Sequence, residues 1–161
     1  MAVKSQESPS ATSTDRIEKQ IVLKAPRTKV WRALTDAKQF GEWFRVTLEG
    51  EFAPGKVSRG KLTFPGYEGL IVDFLVEKIQ PEHYFSYRWH PNAHDTKADY
   101  SSEPMTLVEF KLAEAPGGTA LTIIESGFDK LPANRRAGAF RSNDNGWTSQ
   151  AQSLVRYVTE E

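Results

Sequence analysis

No cysteine occurs anywhere in the 161 residues. That absence removes disulfide scaffolds, thiol nucleophiles, iron–sulfur clusters and zinc–thiolate sites together, and it fits a reducing compartment. Nor is there an excess of charge of either sign, because 21 Lys and Arg stand against 21 Asp and Glu and are interspersed with them. A phosphate backbone selects a basic stripe, so nucleic acid is not an expected partner. No apolar run approaches the ~20 residues of a membrane span, and the N-terminus lacks an apolar core followed by a cleavage site. No membrane partner is expected, and the cytoplasm is the expected location.

The motifs of common catalytic centres are missing as well. "GEFAPGK", residues 50–56, supplies the letters G-x-x-x-x-G-K, but Val57 follows where a phosphate loop needs Ser or Thr. Its surroundings read as a hairpin. There is no G-x-S-x-G elbow and no Gly-rich dinucleotide fingerprint. His90 and His94 stand four apart in "HPNAHD" beside Asp95, yet Pro91 and Asn92 break any helix that would align them, and His83 is the only other histidine. A solvated loop is expected there, with no metal and no cofactor.

What the chain does contain suffices for one domain, in which a single core buries roughly two-thirds of the surface the unfolded chain exposes. The opening "MAVKSQESPSATST" has little to bury, so residues 1–14 are expected to be a disordered tail and residues 15–161 the domain. "RIEKQIVLKA" reads as a strand. In "APRTKVWRALTD" Pro26 suits a first helical position, and Val30, Trp31 and Leu34 make a helical stripe. A second short helix follows in "DAKQFGEWF", where Asp36 and Gln39 have capping-box spacing. From Val46 onward β-rich runs alternate with turn residues, giving strands near 46–50, 56–63, 69–79, 83–90, 105–113 and 118–126. A long helix from Pro132 completes the order. An α+β fold is predicted, with a curved antiparallel sheet of six or seven strands covered by the C-terminal helix.

The inner face of that sheet is unusually bulky, with Phe64, Phe74, Phe85, Tyr87, Trp89, Phe110, Leu121 and Ile123 as candidates. Flat packing of a helix on a sheet does not need so many aromatics, so an internal cavity is expected, reached from the helix by Phe140 and Trp147. Apolar residues 147, 151, 154, 155 and 158 fall at helical spacing, and the same face continued backwards passes through Asp144, Phe140 and Ala137. Asp144 therefore meets the cavity or, if the phase is one residue off, faces solvent or caps a break at Gly146. Glu125 shares a strand face with Leu121 and Ile123 and is the second candidate carboxylate. If both face an apolar space, desolvation and mutual repulsion raise the pKa of at least one, as a general acid or base requires. The alternative is a pair satisfied by Arg88, Tyr87 or Arg141 that orients a ligand or closes the core.

The stretches "VWRALTDAKQFGEWF", "FAPGKVSRG", "IVDFLVEKIQPEHYFSYRWHP", "GGTALTIIESGF" and "NGWTSQAQSLVRYV" together resemble the START-like (SRPBCC) superfamily. Within it the likeness is to bacterial proteins similar to the activator of heat-shock protein 90 ATPase, over residues 15–158. The resemblance implies a helix-grip fold, a curved antiparallel sheet wrapping a long C-terminal helix around a hydrophobic pocket. It also implies a small apolar ligand rather than a cofactor. The expected function is therefore binding of a small hydrophobic molecule. The alternatives are a cyclase- or lyase-type enzyme using Glu125 or Asp144, and a chaperone-associated interaction module. Balanced charge and inward-facing bulk give no support for chaperone partnership.

Overall fold

A computed structural model describes residues 14–93, 95 and 97–159. Seven antiparallel strands form one curved sheet in the order β1-β7-β6-β5-β4-β3-β2. They are β1 (Arg16–Leu23), β2 (Val46–Leu48), β3 (Val57–Leu62), β4 (Ile71–Gln80), β5 (Tyr84–Trp89), β6 (Thr106–Ala115) and β7 (Gly118–Ser126). Two short helices, α1 (Arg27–Thr35) and α2 (Ala37–Phe44), follow β1, and α3 (Ala133–Thr159) closes the chain after a single 3₁₀ turn at Phe128–Lys130. This is the predicted helix-grip arrangement. Among the described residues no helix is long and apolar enough to cross a membrane.

Local chemistry accounts for the element ends. Pro26 is the cap of α1 rather than its first helical residue; its carbonyl accepts from the amides of Lys29 and Val30. Asp36 caps α2 by accepting from the Gln39 amide at 3.2 Å, the half of the capping box that the spacing foretold. Arg45 ends α2 in the left-handed region, φ 72°. Gly41 is required in α2 because a Cβ there would lie 2.3 Å from the Val46 carbonyl oxygen, where the chain turns back into β2. The last carbonyls of α2, which a helix end leaves unpaired, receive donors from α3: Gln150 Nε2 donates to the Phe44 oxygen at 2.9 Å and Ser153 Oγ to the Trp43 oxygen at 2.6 Å. Those two bonds fix the long helix against the short one.

Alternation places Phe74 and Val76 of β4, Phe85 and Tyr87 of β5, Val108 and Phe110 of β6, and Leu121 and Ile123 of β7 in the core. Sheet register stacks Tyr87, Val108, Glu125 and Ile17 in one row across β5, β6, β7 and β1. Buried rows from α3 (Ala139, Trp147, Ala151, Leu154 and Val158) cover that face. Of the tail expected at 1–14, residues 1–13 lie outside the described residues, while the Thr14 hydroxyl donates to Asp129 at 2.7 Å.

Candidate functional site

The aromatic rings that suggested a cavity mostly fill one another's space instead. Phe74 packs edge-on to Tyr87 at 5.0 Å and to Phe40 of α2 at 5.7 Å, and Phe85 stacks on Phe110 at 5.9 Å. Phe52, from the loop after β2, lies 5.2 Å from Phe85. Phe74, Phe85, Tyr87, Phe110 and Ile123 are thus buried core. The correction has a simple cause: α2 and the β2–β3 loop contribute rings to the same space that the sheet rings occupy.

An open cleft of about 620 Å³ lies beyond them, where β4 begins and β5 ends. Its apolar wall is Phe44, Leu62, Phe64, Tyr67, Leu70, Trp89 and Trp147. Trp89 and Trp147 face each other with centroids 6.0 Å apart. Polar groups come from His90, from Asn92 in the following loop, and from Ser142, Asn143, Asn145 and Gln150 of α3. Arg135, in the first turns of α3, holds the 91–103 loop against this rim. Its guanidinium donates to Glu103 at 2.8 Å and to the Pro91 and Asn92 carbonyls at 3.0 and 3.1 Å, and it lies over the Tyr100 ring.

Behind the cleft wall sits Glu125, fully buried on β7. Trp147 Nε1 donates to Oε1 at 2.8 Å, Trp89 Nε1 to Oε2 at 2.8 Å, Asn143 Nδ2 to both oxygens at 2.9 and 3.1 Å, and Thr106 Oγ1 to Oε2 at 2.5 Å. All of these donors are neutral. Among the described residues no ion pair reaches Glu125, so neither Arg88 nor Arg141 satisfies it; Arg88 pairs instead with Glu77 at 2.5 Å. Burial pushes the Glu125 carboxyl above the usual glutamate value, and the four donors pull the other way. The Tyr87 hydroxyl, buried and without a hydrogen-bond partner among the described residues, is pushed up by burial first and by the Glu125 charge second. Three of the donors, Trp89, Asn143 and Trp147, also line the cleft. Glu125 therefore anchors the wall from behind and does not itself face the opening.

Asp144 is not in the site. Its carboxylate pairs with Lys19 of β1 at 2.8 Å and is 45% exposed. Positions i−3 and i−4 from Trp147 both turn toward the sheet, but only i−4, Asn143, points at Glu125; i−3 lies over the β1 edge. The two carboxylates thus do not form an acid–base pair. Phe140, on the same row as Asp144, packs against Phe128 at 5.3 Å and does not line the cleft. Phe64 does line it, from the β3–β4 loop rather than from a strand. His90, expected in a solvated loop, is half-buried in the cleft wall, its Nδ1 has no partner among the described residues, and burial lowers its pKa. His94 lies outside the described residues. Asn143, Gln150, Tyr67 and Phe44 were missed; Asn143 alone had a signal, the 139–143–147–151 row.

Residues 24–159 match the family described as Activator of Hsp90 ATPase homolog 1-like protein. The chain belongs to that family. Its fold is that of solved structures of low identity. Protein MLL2253 from Mesorhizobium loti superposes with a TM-score of 0.72 at 23% identity, over 90% of this chain and 97% of that one. The Aha1 dimer from Colwellia psychrerythraea gives 0.66 at 21%, over 89% and 95%. DynU16, from the dynemicin biosynthetic locus, gives 0.70 at 24% over 91% of this chain, which spans only 48% of that protein. No curated protein matches. Likeness to solved structures at these identities carries the architecture alone, and the chemistry has to be argued from the cleft.

Gly146 contributes to that cleft through what it lacks. It is helical, it lines the opening, and a Cβ added to it would meet nothing within 4 Å. Glycine inside a helix costs about 1 kcal/mol relative to alanine. Gly146→Ala is expected to raise stability by that amount, read as a higher urea midpoint with an unchanged slope. A lower midpoint would mean that the position is not open.

Proposed function

We propose that this protein binds a small, largely apolar molecule in the cleft between the β3–β4 loop, the end of β5 and the middle of α3. The observation that supports this reading is the cleft itself: about 620 Å³, walled by Phe44, Phe64, Tyr67, Trp89 and Trp147, with a few polar groups converging from one helix face. That size and that mixture are typical of small-molecule sites. Glu125 holds two of the wall tryptophans in place through their indole N–H groups. With each carboxylate oxygen already accepting from protein donors, it is a poor candidate for a general base, and binding is favoured over catalysis.

The test uses the open space at Gly146. A thermal-shift screen of apolar and aromatic compounds on the parent protein is expected to give stabilising hits, and the same compounds should give no shift with Gly146→Leu, whose side chain would occupy the cleft. Hits that stabilise both proteins equally would place binding elsewhere. A hit recovered chemically altered after long incubation would favour an enzyme.

A further inference from the structure

Two of the polar groups in the cleft have a definite sense, and it follows from where their amide nitrogens are already committed. Asn143 and Gln150 both line the cleft. The Asn143 amide nitrogen is bound to the Glu125 carboxylate, and the Gln150 amide nitrogen to the Phe44 carbonyl oxygen. Neither partner has a proton to give when the glutamate is ionised, so each amide must present its nitrogen there and its oxygen elsewhere. Neither oxygen accepts a hydrogen bond among the described residues. Two acceptors are thereby left on one helix face, seven residues and two turns apart, with Trp147 between them.

Charge points the same way. No lysine or arginine is among the lining residues, whereas Asp73 is, and the Glu125 carboxylate lies directly behind Trp89, Trp147 and Asn143. The Asp73 charge is met by Arg59, which donates to both of its oxygens at 2.9 and 3.0 Å. Two guanidiniums touch lining rings from outside. Arg135 over Tyr100 is committed to Glu103, and Arg45 lies 5.6 Å from the centre of the Phe64 ring. A carboxylate or phosphate buried between these two amides would therefore meet their oxygens, aromatic faces and the nearby Asp73 and Glu125 carboxylates, with no lysine or arginine among the lining residues to offset its desolvation.

We infer that the cleft selects apolar molecules that carry a hydrogen-bond-donating group, an O–H or N–H, and rejects those that carry an anion, with Asn143 Oδ1 and Gln150 Oε1 as the acceptors. This rests on the proposed binding function and names the class of ligand within it. A hydroxyl or amine reaching either amide oxygen replaces a hydrogen bond to water, while the apolar body displaces water from the tryptophan faces. An acid on the same scaffold gains the second term and loses the first.

Three probes of one scaffold test it: naphthalene, 2-naphthol and 2-naphthoic acid, titrated at pH 7 by ligand-observed NMR and calorimetry. Naphthol is expected to bind roughly tenfold more tightly than naphthoate, about what one well-formed hydrogen bond confers. Gln150→Leu should lower naphthol affinity several-fold relative to naphthalene affinity in the same variant. Asn145→Arg, an exposed position that lines the cleft, should supply the missing cation and bring naphthoate level with naphthol. Binding of naphthalene with naphthoate equal to or tighter than naphthol in the parent protein would overturn the inference and leave the binding function standing. Loss of that tighter acid binding in Arg45→Gln would put the anion at the rim. If none of the three probes binds, the binding function falls and the inference with it.

Discussion

Replacing Glu125 with leucine is expected to lower stability by roughly 2–5 kcal/mol at pH 7, the cost of leaving buried donors unpaired. The Trp147 indole N–H and the Thr106 hydroxyl are buried and donate to this carboxylate. Trp89 and Asn143 reach the cleft, so water can take part of their loss. Removal of the charge works in the opposite direction, because burial is the largest influence on this carboxyl and opposes its ionisation. The donors outnumber what that relief offsets, and the sign is destabilising. Glu125→Gln is the informative control. It keeps one acceptor oxygen but sets an amide nitrogen among donors, so its loss should be smaller, about 1–2 kcal/mol. Urea denaturation of the three proteins measures both values, and a leucine variant as stable as the parent would remove the network from the account of stability.

The pH dependence has a fixed direction. The folded value of the Glu125 carboxyl lies above the ordinary 4.5, so the folded state holds this proton more tightly than the unfolded chain does. Its contribution is fully present below about 4.5 and declines as pH rises through the folded value. Glu125→Gln does not titrate there. The stability of the parent minus that of the glutamine variant should therefore fall between acid and neutral pH. A difference that rises over the same interval would mean that the donors outweigh burial and lower the carboxyl instead.

Strands were legible because each signal is local. Inward alternation in β6, Thr106, Val108, Phe110 and Leu112, needs nothing beyond the strand to be seen. The turn residues Pro116 to Gly118 sit at or beside the β6–β7 hairpin that they mark. The cleft was not legible, because its walls come from the β3–β4 loop, the end of β5, α2 and α3, and no local pattern says which of these meet. Inward-facing aromatics were identified correctly as a face, yet whether a face encloses space or is filled depends on rings brought by other segments. Phe40 and Phe52 supplied them here. Helical periodicity had the same limit at Trp147. It places both i−3 and i−4 toward the sheet and cannot tell the row that meets Lys19 from the row that meets Glu125.

Trp147 is where the core, the buried carboxylate and the cleft meet, and Trp147→Ala is expected to cost about 3–5 kcal/mol, the range for truncating a large buried ring. The side chain is 3% exposed and contacts Phe44, Trp89 and Phe110 at centroid distances of 6.2, 6.0 and 5.9 Å. Alanine would also leave one Glu125 oxygen with the Asn143 amide as its sole donor. Trp147→Phe separates the two contributions. It keeps one aromatic ring between Phe44 and Phe110 and removes the pyrrole part of the indole with its N–H, so about 1.5–3 kcal/mol is expected, the value of a hydrogen bond to a charged acceptor. If phenylalanine costs as much as alanine, the pyrrole edge with its hydrogen bond to Glu125 dominates and the remaining ring is secondary. If it costs nothing, the ring carries the whole effect. Because Trp147 also lines the opening, the alanine variant enlarges the cleft, and naphthalene affinity measured alongside stability reports whether the ring is a wall of the binding site or only a support of the fold beneath it.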